Sequence, residues 1–298
     1  MSARRSCLSV PGSSEKMLAK ARTLAPDEVV IDLEDSVAAP AKAQARAAVT
    51  ATVARGDWGE RAVAVRINGA ATRWCHRDVI DVIAGAGDAL ASLVVPKVES
   101  PGELEFVARL AGMVEQEADR ATPLGLQALI ETATGLRHIH AIAHASPRLE
   151  ALIVGYADLS ASLGLPSGGA YPGDRWHHVL ETVLVAARDA GLQAIDGPYL
   201  ALADRDGFAA AAQRAHALGY DGKWALHPTQ IEVLNDLFAP SADELDRARA
   251  VLDALAAAER DESRGAVMLD GAMIDEASRK LAAQVVARGA AAGVGEAA

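Results

Sequence analysis

The chain has 298 residues, of which 51% are hydrophobic and only 4% aromatic, and it carries a formal net charge of −11. This length and composition are typical of a globular protein with one large α/β domain or two smaller ones. The acidic balance argues against nucleic acid as a partner, because a polyanion requires a basic surface. The sequence contains no apolar stretch long enough to cross a bilayer and no signal-peptide pattern, so we expect a cytoplasmic protein without a membrane partner.

Cysteine usage favours the same compartment. Only Cys7 and Cys75 occur, and they form no CxxC pair or metal-ligand spacing. Such a pattern is typical of a reducing environment, where both side chains act as small apolar residues.

Eight short apolar runs recur along the chain, with alanine-rich stretches of helical character between them. In chain order they are SCLSV, EVVIDL, AVAVRI, SLVVPKV, LQALIE, ALIVGY, LQAID and KWALHP. Their separation of roughly 30 residues is typical of βα units, which require parallel strands and right-handed crossovers. We therefore predict a mixed α/β fold, a (β/α)8 or TIM barrel over residues 1–237.

Local signals mark individual helices. After the fourth run, Ser100, Pro101 and Glu103 form the pattern of a capped helix start. Residues 238–298 exceed what the barrel needs and are predicted to form a helical extension. They contain a helix around Asp243 to Glu259, an irregular glycine-containing piece, GAVMLDGAMID, and a last helix that begins near Asp275.

Two acidic residues stand where apolar runs end. Glu131 closes LQALIE and Asp158 follows LIVGYA, so about one strand–helix repeat separates them. Side chains at the same end of successive parallel strands point into one mouth of a barrel. Carboxylate oxygens are the ligands that Mg²⁺ prefers, so this spacing predicts a Mg²⁺ site.

Further charged residues follow the other runs, at the end of the barrel where catalytic loops gather. They are Asp32, Glu34, Asp35, Arg66, Lys97, Glu99, Asp196 and His227. For any single acid the alternative is a helix cap, because loops that lead into helices favour aspartate. The set as a whole favours a functional site.

Several motifs, in order, also carry a family resemblance. They are RRSCLSVPGS, VVIDLEDSVAAPAKAQAR, VAVRING, LVVPKVES, LIETATG, LIVGYADLSASLG, AIDGPY and GKWALHPTQI. Nearly the whole chain thereby resembles the citrate lyase beta-subunit-like family of the HpcH/HpaI aldolase superfamily. The resemblance implies a TIM barrel, Mg²⁺ dependence, and the making or breaking of a carbon–carbon bond next to a carbonyl.

The resemblance also implies roles for individual residues. Glu131 and Asp158 become the metal ligands, and Arg66 becomes the arginine that contacts the substrate and steadies an enolate. A 2-oxo acid would bind the ion through its carboxylate and keto oxygen, with waters in the other metal positions. Glu34 and Asp35, next to Arg66, are predicted to contribute to the substrate site. The alternative is that Arg66 only forms an ion pair with one of these two acids.

A C-terminal motif, GAMID, resembles the segment that in the CoA-thioester branch closes over the active site of a neighbouring subunit. Its aspartate, Asp275, is then the catalytic acid or base. The alternative is that Asp275 only caps the helix that follows. A role across subunits predicts a closed homo-oligomer, a trimer or a hexamer.

The leading functional hypothesis is a lyase that splits a 3-hydroxyacyl-CoA, such as malyl-CoA or citramalyl-CoA, into an acyl-CoA and a 2-oxo acid, or joins them. The alternatives are the citryl-carrier-protein lyase subunit of citrate lyase, an aldolase for free 2-oxo acids, and a silent homologue that only binds acyl-CoA. Arg5, Lys16 and Arg46 are candidate contacts for the CoA phosphates, or else scattered charges on helix surfaces.

Overall fold

The computed structural model describes residues 3–165, 173–262 and 265–294. The chain divides into two compact units: Arg4–Asn235, and Asp236–Ala298 together with Met1–Ala3. The sequence places this division after residue 237, and the role of the second unit stays a prediction.

Strands and helices alternate through the first unit. The strands are β1 Ser6–Pro11, β2 Glu28–Asp32, β3 Ala62–Arg66, β4 Ser92–Val95, β5 Gly125–Ile130, β6 Leu149–Val154, β7 Gln193–Asp196 and β8 Gly222–Ala225. The helices are α1 Glu15–Ala21, α2 Lys42–Ala54, α3 Cys75–Ala86, α4 Pro101–Glu117, α5 Ala133–Arg137, α6 Ile139–Ala143, α7 Tyr156–Ser162, α8 His177–Asp189, α9 Arg205–Leu218 and α10 Thr229–Phe238.

The eight strands form a closed parallel barrel in sequence order, with β8 paired to β1. All eight apolar runs are thus confirmed as strands, and the predicted (β/α)8 barrel is the observed fold. The runs are mostly apolar and do not alternate because both faces of a barrel strand are buried, one by helices and one by the interior. The capped start of α4 is also confirmed, with Ser100 and Glu103 in a capping box and Pro101 at the first position.

One layer of the barrel interior is apolar and takes side chains from all eight strands. It contains Cys7, Val30, Ala64, Val94, Leu129, Ala151, Ile153, Ile195 and Trp224, each at most 3% exposed. Because the interior is packed, ligands can approach only from the ends of the barrel, and the carboxyl ends of the strands carry the loops that form sites.

A second interior layer, at the amino ends of the strands, is polar. Arg4 donates from Nε to Glu28 Oε1 at 3.0 Å, and Gln127 Nε2 donates to the same oxygen at 2.7 Å and to Ser92 Oγ at 2.9 Å. Glu28, Ser92 and Gln127 are fully buried. Their partners satisfy most of this layer, which makes the burial of a charged pair tolerable.

The second unit contains two long helices and a short hairpin. Its elements are α11 Ala242–Glu262, β9 Val267–Leu269, β10 Ala272–Ile274 and α12 Glu276–Ala291. The antiparallel pair β9–β10 corrects the expectation of an irregular piece. Asp270 and Gly271 form its turn with φ of 49° and 79°, the left-handed geometry that favours an Asp-Gly pair.

Within the described ranges, no helix combines the length and apolar character needed to cross a bilayer.

Candidate active site

The predicted site residues of the barrel lie at the carboxyl ends of neighbouring strands. Arg66 is the last residue of β3, and Glu131 follows β5 directly. Asp158 lies in the first turn of α7, just after β6. Glu34 and Asp35 follow β2. The barrel geometry therefore brings these side chains, which are distant in sequence, to one mouth.

Arg66 is held by a partner that was not predicted. Its Nε and Nη2 donate to the two carboxylate oxygens of Asp32, each at 2.7 Å. Burial disfavours the charge on Asp32, but the hydrogen bonds and charge of Arg66 outweigh it and lower the pKa of Asp32. A bidentate pair of this kind fixes the guanidinium plane. The guanidinium also lies over the Trp224 ring, 5.7 Å from its centroid.

The alternative for Arg66 was an ion pair with Glu34 or Asp35, and the structure shows the pair with Glu34 only. Nη1 of Arg66 lies 3.2 Å from Glu34 Oε2. Asp35 instead faces Lys97, with a distance of 3.2 Å between its Oδ2 and Nζ. The pairing with Glu34 leaves the charge of Arg66 at the mouth and does not remove it from the site.

Lys97 connects four acids, Glu34, Asp35, Glu131 and Asp158, which we call the carboxylate cluster. Its ammonium forms ion pairs with Glu34 and Asp35, and it lies 3.6 Å from Asp158 Oδ2. Its backbone N–H donates to Glu131 Oε1 at 2.8 Å. Burial opposes the charge of Lys97, but the hydrogen bond and charge of Glu34 raise its pKa, so the side chain stays cationic.

The sequence marks Lys97 only as one of several charges after a strand and does not single it out. A signal exists in its position: it follows Val95 and Pro96 at the end of β4, between the strands that carry Arg66 and Glu131. Because strands β3, β4 and β5 are neighbours in the barrel, their order predicts that Lys97 lies between Arg66 and Glu131 at the mouth.

Glu131 is the most buried acid of the carboxylate cluster, at 2% exposure. Burial and the nearby charge of Glu34 raise its pKa to about 8, against the opposing effect of Lys97 and Arg66. In the described part of the chain, no lysine or arginine forms an ion pair with it. A buried carboxylate without a cation is costly, so an ion beside Glu131 would stabilise its charged form.

Gly155 makes room for this side chain. A Cβ atom at Gly155, between β6 and α7, would overlap the Cβ and carboxylate of Glu131. The absence of a side chain at this position therefore allows Glu131 to point into the mouth beside the first turn of α7, which carries Asp158.

These residues fit Mg²⁺. Glu131 and Asp158 offer hard oxygen ligands, and the side chain of Asp158 is 35% exposed and hence accessible. Among the described residues, no three or more His, Cys, Asp or Glu side chains form a ready metal site. Mg²⁺ in proteins is commonly held by one or two carboxylates, with waters and ligand oxygens in the other positions.

A buried network of hydrogen bonds holds the loop after β2, which carries Glu34. Lys42 Nζ donates to the carbonyl oxygens of Leu33 and Glu34 at 3.0 and 2.8 Å. Asn68, just after β3, donates from Nδ2 to Leu33 O at 3.1 Å and is itself held by Asp78. The loops after β2 and β3 are thus joined by hydrogen bonds.

Asp275 lies in the second unit, where it caps α12. Its Oδ1 accepts a hydrogen bond from Ser278 N at 3.1 Å, and this contact lowers its pKa. The capping alternative is therefore observed, whereas a catalytic role stays a prediction.

Two of the three candidate contacts for CoA phosphates are engaged elsewhere. Arg5 donates to both carboxylate oxygens of Asp27, near the amino end of the barrel. Arg46 is 9% exposed and donates to Asp78. Both expectations are wrong, because neither guanidinium is available at the mouth, while Lys16 is exposed on α1.

Comparison with known proteins adds independent information. The profile of the HpcH/HpaI aldolase/citrate lyase family matches residues 5–228. An L-malyl-CoA/beta-methylmalyl-CoA lyase of Cereibacter sphaeroides is 37% identical over 93% of this chain and 91% of its own. A (3S)-malyl-CoA thioesterase from the same species is 36% identical over 95% of this chain and 94% of its own.

Solved structures are similar to this chain over nearly its whole length. The protein CitE from Mycobacterium tuberculosis, in complex with magnesium, acetoacetate and coenzyme A, superposes with a TM-score of 0.74 at 33% identity. The match covers 97% of this chain and 98% of that one.

Proposed function

Because the chain belongs to the HpcH/HpaI aldolase/citrate lyase family, we propose that it is a Mg²⁺-dependent carbon–carbon lyase that cleaves or forms a 3-hydroxyacyl-CoA of the malyl-CoA or citramalyl-CoA type. The products of cleavage are an acyl-CoA and a 2-oxo acid, glyoxylate or pyruvate. The observation that carries this proposal is the convergence of Glu131, Asp158 and Arg66 on one barrel mouth.

Cleavage follows a retro-Claisen course. The bond between the α-carbon of the thioester and the hydroxyl-bearing carbon breaks, and the hydroxyl proton passes to a general base in the site as the hydroxyl oxygen becomes a keto oxygen. The electron pair of the broken bond passes to the α-carbon and gives a thioester enolate. A proton added to that carbon yields the acyl-CoA, so atoms and charge balance.

Glu131 and Asp158 would hold the metal. When bound, Mg²⁺ supplies Lewis acidity that orients a 2-oxo acid and withdraws charge from its keto oxygen. Magnesium in the similar CitE structure supports this assignment.

Arg66 stabilises the negative charge that develops on the enolate oxygen. Its bidentate pair with Asp32 and its position over Trp224 fix the guanidinium before the substrate binds. Groups that are already oriented stabilise a transition state without reorganising, which is why such donors account for large rate effects. Glu34 holds the remaining nitrogen and, together with Asp35, limits where an anionic substrate can lie.

Asp275 supplies or removes the proton at the α-carbon, and it does so in the active site of a neighbouring subunit. The resemblance of GAMID to the family motif supports this role. The enzyme is then a closed homo-oligomer, a trimer or a hexamer. Both cysteines are free thiols, which supports a reducing, cytoplasmic location.

The test is direct. Purified protein, Mg²⁺ and malyl-CoA or citramalyl-CoA should release glyoxylate or pyruvate together with acetyl-CoA, and EDTA should stop the release. Protein that releases no 2-oxo acid from either substrate would contradict the proposal.

A second candidate is hydrolysis of a malyl-CoA thioester, because a (3S)-malyl-CoA thioesterase is 36% identical over nearly the full length. The two functions give different products from one substrate. A lyase yields glyoxylate and acetyl-CoA, whereas a thioesterase yields malate and free CoA. Measuring glyoxylate and free thiol in the same reaction separates them.

A further inference from the structure

Lys97 combines an unusual backbone with an unusual environment. Its φ is 52°, a strained left-handed conformation that few residues other than glycine adopt. Backbone outliers of this kind persist where the surrounding structure requires them and cluster at functional sites.

The conformation has a clear result. It directs the backbone N–H of Lys97 to Glu131 Oε1, at 2.8 Å, while the side chain runs to the other acids of the carboxylate cluster. Its ammonium pairs with Glu34 and Asp35 and lies 3.6 Å from Asp158. One residue therefore contacts both proposed metal ligands, one through its backbone and one through its side chain.

We propose that Lys97 is a tethered cation that weakens Mg²⁺ binding to the substrate-free protein and so makes retention of the ion depend on the bound 2-oxo acid. This inference rests on the proposed function, because it takes Glu131 and Asp158 as the metal ligands. It goes further by assigning a positioning residue that couples ion and substrate.

The reasoning is electrostatic. An ion bound by Asp158 would share that carboxylate with the ammonium, and two cations in a partly buried site repel each other. The side chain of Lys97 is only 35% exposed, so water screens this repulsion incompletely. A 2-oxo acid brings a negative carboxylate next to the two cations and offsets their mutual repulsion. Each ligand then strengthens the binding of the other, as linkage requires.

The sign of this effect distinguishes it from a structural role. If Lys97 only organised the carboxylate cluster, its removal would disorder the acids and weaken Mg²⁺ binding. If it acts as a competing cation, its removal strengthens Mg²⁺ binding to the free protein.

The experiment is calorimetric titration of MgCl₂ into the full-length protein at pH 8.5, where protons compete little with the ion, with and without pyruvate. Lys97→Met should bind Mg²⁺ at least about fivefold more tightly than wild type in the absence of pyruvate, and pyruvate should improve its binding less. Lys97→Arg, which keeps the charge, should stay close to wild type. Lys97→Gly accepts the left-handed backbone, so it tests the same effect if Lys97→Met folds poorly.

The outcomes separate the two proposals. Mg²⁺ binding by wild type with unchanged or weaker binding by both Lys97→Met and Lys97→Gly overturns the role of Lys97 and leaves the proposed function intact. If neither wild type nor these variants bind Mg²⁺ even with pyruvate present, both proposals fail.

Discussion

At the scale of residues, the site depends on a balance of charge around Glu131. Asp32 and the four acids of the carboxylate cluster surround two cations, Arg66 and Lys97, and Glu131 has a pKa raised to about 8 by burial and by Glu34. Such strongly shifted groups are typical of functional sites, because catalysis and ligand binding require groups whose pKa values are matched to the task. The geometry of the free protein is thus suited to receive positive charge.

Arg66→Lys tests the fixed guanidinium. Lysine keeps the charge but cannot form the bidentate pair with Asp32, so the enolate loses an oriented donor. We expect kcat for malyl-CoA cleavage to fall by about 100-fold or more, with little change in Mg²⁺ affinity. Arg109→Lys is the matched control, since the Arg109 side chain is 82% exposed on α4. Wild-type kcat in Arg66→Lys would be inconsistent with the proposed role.

Gly155→Ala tests the space beside Glu131. The added methyl group overlaps the Glu131 side chain and forces it to move, so Mg²⁺ affinity should fall by about tenfold and stability by about 1–3 kcal/mol. Calorimetry and thermal unfolding measure these two effects. Gly102→Ala is the control, because its new Cβ would meet only Ser100 Oγ, at 4.0 Å. Equal Mg²⁺ affinity in the two variants would show that Glu131 does not need this space.

At the scale of elements, the eight strands could be predicted because each is a short, mostly apolar run and the runs recur at the spacing of βα units. The polar layer of Glu28, Ser92 and Gln127 could not, since these residues lie within the strand runs and only the closed barrel brings them together. The hairpin β9–β10 was missed although its Asp270-Gly271 pair is a typical turn signal, because strands of three residues show no clear periodicity.

The site residues likewise divide into those that the sequence could locate and those that only the structure shows. Glu131, Asp158 and Arg66 could be located from strand ends alone, because parallel strands have to present their carboxyl ends together. The pairing of Arg66 with Asp32, and the reach of Lys97 to four acids, depend on side-chain directions that sequence spacing does not determine.

Asp275 caps the start of α12 and is also the proposed catalytic acid or base, and substitutions can separate these two roles. Serine caps helices well and alanine does not, so Asp275→Ala should lose about 1 kcal/mol of stability while Asp275→Ser loses little. Neither variant carries a carboxylate, so both should lose most lyase activity. Unfolding by denaturant and kcat measure the two effects. An Asp275→Ser variant with wild-type kcat would leave only the capping role.

At the scale of the whole molecule, the proposed active site takes its groups from two subunits. The barrel supplies Glu131, Asp158 and Arg66, and the second unit of another chain supplies Asp275. A monomer would then lack the group that moves the proton at carbon, and activity would depend on assembly.

Subunit mixing tests this arrangement. Glu131→Gln and Asp275→Ser are each expected to be inactive, but an oligomer that contains both chains has some sites with Glu131 from one chain and Asp275 from the other. After co-expression in equal amounts, about one quarter of the sites should be complete and lyase activity should return accordingly. Activity that stays at the level of the single variants would contradict a role across subunits.

The central claim is that Glu131 and Asp158 together hold Mg²⁺ for the 2-oxo acid. Calorimetric titration of MgCl₂ in the presence of pyruvate, for wild type, Glu131→Gln and Asp158→Asn, tests it most directly. Glu105→Gln on α4, where the side chain is 50% exposed, serves as the control. We predict that each of the two site variants loses at least about tenfold in Mg²⁺ affinity while the control does not. Wild-type affinity in both Glu131→Gln and Asp158→Asn would contradict the account.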